Sequence, residues 1–75
     1  MRYDEFKKRV TNTPMFPLNK YVADIAYRQG LYTSHMYDEL LAAESKEEIL
    51  RIMEDHFNKG EIPDDKIKMI REFKI

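Results

Sequence analysis

The sequence contains no cysteine, only two glycines and three prolines. It also has no apolar run approaching the roughly 20 residues that a membrane-spanning helix needs. The missing cysteine excludes disulfide staples and cysteine-based metal clusters, and it fits a reducing, cytoplasmic setting. The opening segment, MRYDEFKKRV, lacks the apolar centre of a signal peptide. The expectation is a soluble, cytoplasmic chain with no membrane partner. At 75 residues it is one domain, 1–75. A domain of this size buries only about 60% of its unfolded surface, so its stability is marginal.

Aliphatic, aromatic and charged residues alternate throughout, a pattern too hydrophobic and too even for a disordered tail. No internal repeat or low-complexity tract interrupts it. The net charge of −1 hides an uneven distribution. Residues 1–30 carry six Lys/Arg against three Asp/Glu, residues 31–65 three against ten, and residues 66–75 four against one. The ends are therefore each +3 and the middle is −7. Such ends and middle are complementary between two copies, which makes a homo-oligomer one expected form of association.

Helical periodicity dominates. Tyr3, Phe6 and Val10 form a first stripe, and TNTP ends it because Pro14 disfavours helical geometry at Thr13. PMFP is a short apolar connector. Pro17 suits the first position of a second helix, along which Leu18, Tyr21, Val22, Ile25 and Ala26 follow at helical spacing. Gly30 ends that helix by accepting a left-handed conformation. Thr33 or Ser34 caps a third helix, with Met36, Tyr37, Leu40 and Leu41 as its apolar face. Ser45 and Glu48 form a capping box before a fourth helix, whose face is Ile49, Leu50, Ile52, Met53 and Phe57. Gly60 closes it. Pro63, Asp64 and Asp65 open a last helix carrying Ile67, Ile70 and Phe73. The fold class is thus all-α, a small bundle of four to five short helices with short connections. The expected core is Phe6, Val22, Ile25, Ala26, Leu40, Leu41, Ile49, Met53, Phe57, Ile67, Ile70 and Phe73.

One stretch carries a family resemblance. In IAYRQGLYTSHMYDEL, Ile25 to Leu40, Ala26 is a small residue, Gly30 follows it by four, Leu31 comes next, and Met36 lies five further on. This spacing resembles a helix-turn-helix unit, most closely the tetracycline-repressor type, over residues 22–41. In that pattern Ala26 marks the close approach of two helices and Gly30 makes the turn. Leu31 plugs it, Met36 anchors the second helix, and Tyr37 and Leu40 fill aromatic and apolar positions. Gln29 stands where the family usually has an apolar residue. The resemblance implies a helix-turn-helix-like pair at helices two and three, and a DNA-binding transcriptional regulator as one function. The second helix would enter the major groove N-terminus first. Tyr32, Thr33, Ser34 and His35 would then face bases, and Lys7, Lys8, Arg9 and Arg28 phosphates.

Charge argues for a different partner. From Thr33 to Glu44 there is no Lys or Arg, while Asp38, Glu39 and Glu44 are negative. Three acids with no cation make a poor DNA-reading helix. Tyrosine and methionine are abundant, at five each, and tyrosine favours interfaces. The candidate protein interface is Met15, Phe16, Tyr32, Tyr37, Asp38 and Glu39. Catalytic signatures are missing: no glycine-rich phosphate loop, no G-x-S-x-G, no H-E-x-x-H. His35 with Glu39, and Asp55 with His56, each lack the further ligands that a metal needs. No metal, cofactor or enzymatic activity is expected. The function that the sequence favours is a small regulatory or adaptor module acting through protein–protein interaction, ahead of the DNA-binding alternative.

Overall fold

A computed structural model describes residues 2–31 and 34–74, and leaves the Ser34 side chain undescribed. Helix α1, Tyr3–Arg9, begins with Asp4 and Glu5 and ends with Lys7, Lys8 and Arg9, an order that complements the helix dipole. It tightens into a 3₁₀ turn at Val10–Asn12. Thr13 then turns extended ahead of Pro14, as its position before proline requires.

Helix α2 covers Leu18–Arg28, α3 Ser34–Ala42, α4 Lys46–Asn58 and α5 Asp64–Glu72. No strand occurs among the described residues. Pro17 follows a cis peptide bond and sits at the cap of α2, one position before its expected place. The cap expected at Thr33 lies outside the described residues, and Ser34 is already helical.

Both glycines stop helices as expected. Gly30 has φ of 82° and Gly60 of 78°, a region that β-carbon sterics close to most residues. At the end of α2, the Gly30 N–H donates to the Tyr27 carbonyl at 3.0 Å and Leu31 N–H to Ala26 at 2.8 Å. At the end of α4, Gly60 donates to Phe57 at 2.9 Å and Glu61 to His56 at 3.0 Å. Both are Schellman closures, which satisfy carbonyls that a helix end would otherwise orphan. The pair α2–α3 therefore turns at Gly30, with Ala26 buried beneath the turn and Leu31 half-buried against the core.

Helix α2 is the central element and packs against α3, α4 and α5, while α1 lies on α3. The core gathers Phe6 and Val10, the inner face of α2, Met36, Tyr37 and Leu40 of α3, Ile49 and Met53 of α4, and Ile67 and Ile70 of α5. Three expected core residues sit at its edge instead. Leu41, Phe57 and Phe73 are only partly buried. Tyr37 fills the space inside α3, packing on Phe6 at 5.1 Å, and Leu41, about 100° around the helix from the fully buried Leu40, falls at the margin of the buried face. Phe57 lies under the Arg71 guanidinium at 5.5 Å. Phe73 falls just past the end of α5 and stacks on Tyr21 at 4.7 Å.

Asn19 is a buried polar residue within this core. Its Nδ2 donates to the Leu40 carbonyl at 3.1 Å and to Thr13 Oγ1 at 2.8 Å. Its Oδ1 accepts from the Lys20 N–H at 3.0 Å.

Two outcomes follow for stability, read from urea midpoints. Leu40→Ala, at a fully buried position, destabilises by about 2–5 kcal/mol, and Leu41→Ala by clearly less. Asn19→Leu, similar in size but unable to hydrogen-bond, costs about 1–3 kcal/mol because the Leu40 carbonyl is left unsatisfied. An Asn19→Leu chain as stable as the parent would show that the amide is dispensable.

Candidate functional site

Helices α3 and α4 meet through the short link Ala43–Ser45. Ser45 caps α4, its Oγ accepting from the Glu48 N–H at 3.3 Å. The return bond of the capping box is displaced by one residue. Glu48 Oε2 accepts from the Glu44 N–H at 2.8 Å rather than from that of Ser45. The Glu48 carboxylate is thereby fixed at the mouth of a groove between the two helices.

This groove encloses about 490 Å³ and is lined by Glu39, Ala42 and Ala43 from the α3 side and by Glu48, Arg51, Ile52, Asp55 and His56 from α4. The spacing explains the lining. Glu48, Ile52, Asp55 and His56 recur at steps of three and four on α4, and Glu39, Ala42 and Ala43 do so along the α3 side, so each set shares one face. Alanines keep the floor low, and Ile52 makes it apolar. Glu39, Glu48 and Asp55 form an acidic rim, with Arg51 as the cation in the lining. Glu39 pairs with His35 at 3.1 Å, and Asp55 with Lys59 at 3.1 Å. The hydrogen bond from Lys59 to Asp55 raises the Lys59 pKa. His56 Nδ1 meets Glu61 Oε1 at 2.8 Å, across the Gly60 turn. Lys46, in the first turn of α4, points elsewhere. Its Nζ donates to the carbonyls of Arg71 at 2.9 Å and Phe73 at 2.6 Å.

On the other side of α3 lies an aromatic and basic patch shared by α1 and α2. Tyr3 stacks on Tyr27 with ring centroids 4.4 Å apart and lies 6.0 Å from Tyr37. The Tyr3 hydroxyl donates to Asp24. Lys20 Nζ donates to both Asp24 oxygens, at 2.8 and 2.7 Å. Burial alone would raise the Asp24 pKa. The hydrogen bonds from Lys20 and Tyr3, with the charges of Lys20 and Arg28, outweigh it and hold the carboxyl below its ordinary value. Burial, then the Asp24 hydrogen bond and charge, push the Tyr3 phenol up to about 12.

The residues expected at an interface separate into two groups. Phe16, Asp38 and Glu39 are exposed. Met15 and Tyr37 are not available to a partner, because both are core residues. The connector folds inward at Met15, and Tyr37 is the largest side chain fully enclosed by the helices. Tyr32 and Thr33 lie outside the described residues, as does the Ser34 side chain. Of the cations proposed for DNA, Lys7, Lys8, Arg9 and Arg28 are exposed on α1 and α2, and Arg9 pairs with Glu5 at 2.8 Å. His35 is exposed at the start of α3. No group of three or more metal-ligating side chains occurs among the described residues, nor any helix long and apolar enough to cross a membrane. Sequence reasoning missed the groove floor, since Ala42 and Ile52 look like ordinary helix positions. It also missed the Tyr3–Asp24–Lys20 cluster, for which the i,i+4 pair Lys20/Asp24 was the available signal.

Comparison of the chain with protein-family models, with curated proteins and with solved structures returns no match.

Asp24 gives a pH-dependent outcome. A carboxyl whose pKa is depressed on folding stabilises above its unfolded pKa, and that stabilisation is lost as pH falls through the folded value. Asp24→Asn therefore lowers stability by about 1–2 kcal/mol at neutral pH, a figure reduced by partial solvent exposure. The gap between variant and parent closes on acidification below the ordinary aspartate pKa. Chemical denaturation across pH checks it, and a gap independent of pH would contradict the ionic role of Asp24.

Proposed function

We propose that this chain is a binding module rather than an enzyme, in a regulatory or adaptor role, and that the groove between α3 and α4 receives a basic segment of a protein partner. The observation that carries this reading is the groove itself, an apolar floor of Ala42, Ala43 and Ile52 beneath a rim of Glu39, Glu48 and Asp55. Apolar area supplies affinity at such sites, whereas complementary charge sets encounter rate and register. Of the rim carboxylates, Asp55 pairs with Lys59 and Glu39 with His35, while Lys46, the first residue of α4, is engaged at the end of α5 and away from the rim.

Two other partners fit less well. Duplex DNA read by α3 would meet the exposed carboxylates of Asp38 and Glu39, which phosphates repel. A second copy offering Lys7, Lys8 and Arg9 would bring charge but little apolar surface, because the outward residues of α1 from Asp4 to Arg9 are all polar.

The test is calorimetric titration with an amphipathic helical peptide rich in Lys and Arg, in parallel with mixed-sequence duplex DNA at moderate salt. Ala42 is exposed, so Ala42→Arg leaves the fold intact. It should weaken peptide binding by about tenfold or more, corresponding to ~1.4 kcal/mol. Glu39→Lys should slow association and flatten its salt dependence. Tight duplex binding abolished by His35→Ala, with no peptide binding, would replace this reading by a DNA-reading α3.

A further inference from the structure

The patch between α1 and α2 is independent of the groove. Tyr37, which packs toward Tyr3, and Glu39, which lines the groove, are two residues apart on α3. At roughly 100° per residue they point to nearly opposite sides. Within the patch Tyr27 is 47% exposed, a high value for a large ring, and rests on Tyr3 at an interplanar angle of 28°. Tyr3 is itself anchored through its hydroxyl to Asp24, so the exposed ring has a fixed support. Lys7 Nζ lies 5.0 Å and Lys20 Nζ 6.0 Å from the Tyr3 centroid. Arg28 is near enough for its charge to act on Asp24. The carboxylate at the centre of the patch, Asp24, is engaged by both Lys20 and Tyr3. Glu5 is paired with Arg9. Lys7 and Arg28 therefore give the surroundings of the stacked rings a positive character.

We propose that this patch binds single-stranded nucleic acid, one base stacking on the exposed part of Tyr27 and the neighbouring phosphates lying on Lys7 and Arg28. A supported, partly exposed aromatic ring flanked by cations is the combination that binds unpaired strands, because every base has a π-face and every linkage a negative charge. The duplex is the poorer ligand, since its base faces are already stacked on one another. This site uses charges and a ring remote from the acidic rim, so it stands or falls separately from the protein-binding groove.

The experiment measures fluorescence anisotropy of a labelled mixed-sequence single strand about a dozen nucleotides long, comparable to the span of a small binding domain. DNA and RNA versions are titrated beside a strand of equal length lacking bases and beside the matched duplex. The base-containing strand should bind about tenfold or more tighter than the abasic one. Tyr27→Ala should remove that advantage, and Tyr27→Trp should retain it. Lys7→Gln combined with Arg28→Gln should reduce the slope of log affinity against log salt by about 1.4, as expected for two phosphate contacts on a single strand. Neither substitution touches a buried residue, and a unchanged urea midpoint for each verifies the fold. Equal affinity for abasic and base-containing strands, an unaffected Tyr27→Ala variant, a duplex bound as tightly as the single strand, or no micromolar binding at low salt would each overturn the proposal.

Discussion

The position of α3 depends on one buried amide. Asn19 has no solvent exposure, and a buried polar group without partners costs about 1–3 kcal/mol. Its bonds end at three places where regular structure stops. Thr13, which accepts one of them, donates in turn to the Val10 carbonyl at 2.6 Å and closes the 3₁₀ turn. Lys20, whose N–H the amide oxygen accepts, is in the first turn of α2, where amides lack intrahelical partners. Leu40 is two residues from the end of α3, where carbonyls lack them. A single side chain thus joins the connector, the start of α2 and the end of α3. Any rotation of α3 breaks the bond to Leu40, so the two surfaces on either side of α3 are held in one arrangement.

The ends of the helices show why this clamp is needed. Helices α2 and α4 finish in glycine closures that satisfy their own last carbonyls. Helix α3 runs into AAES and has no glycine to do so. One side chain from elsewhere acts in its place on a carbonyl, Asn19 on that of Leu40, while Glu48 accepts from the Glu44 N–H just beyond the helix. Glu48 consequently has both a structural and an electrostatic part, fastening the α3–α4 link while contributing charge to the groove rim. A rim residue held by backbone loses less freedom when a ligand arrives than a loose surface glutamate would.

Much of the fold was legible in the sequence, because helix ends and stripes are local properties. Gly30, Gly60, Pro14 and the Ser45–Glu48 cap each act within one turn of chain, and each lies where its local chemistry puts it. What the pattern could not supply was depth. Periodicity marks the apolar face of a helix but not how far each residue is covered, so Leu41, Phe57 and Phe73 looked like Leu40, Met53 and Ile70. Tyr37 and Met15 looked like contact residues because amphipathic and flexible side chains are common at interfaces, yet here the small bundle uses them as filling beside Phe6 and Met53. Ile62 is buried although it lies between helices, outside any stripe. Asn19 was invisible for the opposite reason: a polar residue reads as surface until the carbonyl that it satisfies is known.

Counting charge along the chain also leaves out which charges are paired. The basic C-terminal segment suggested a positive surface, but Arg71 makes two 2.8 Å bonds to Glu54 and lies against Phe57. Helical neighbours 3 to 4 residues apart hold most of the remaining ion pairs among the described residues, as in Glu5–Arg9, Lys20–Asp24 and Asp55–Lys59. Exposed pairs of this kind contribute only about 0.3–0.5 kcal/mol each and are screened by salt. The helices are therefore joined mainly by apolar packing and by the neutral bonds of Asn19. The two charged surfaces, one acidic at α3–α4 and one basic at α1–α2, add little to folding. Salt at moderate concentration then acts on the two properties differently: it leaves the apolar core and its amide clamp largely untouched, while it weakens whatever either surface holds through charge.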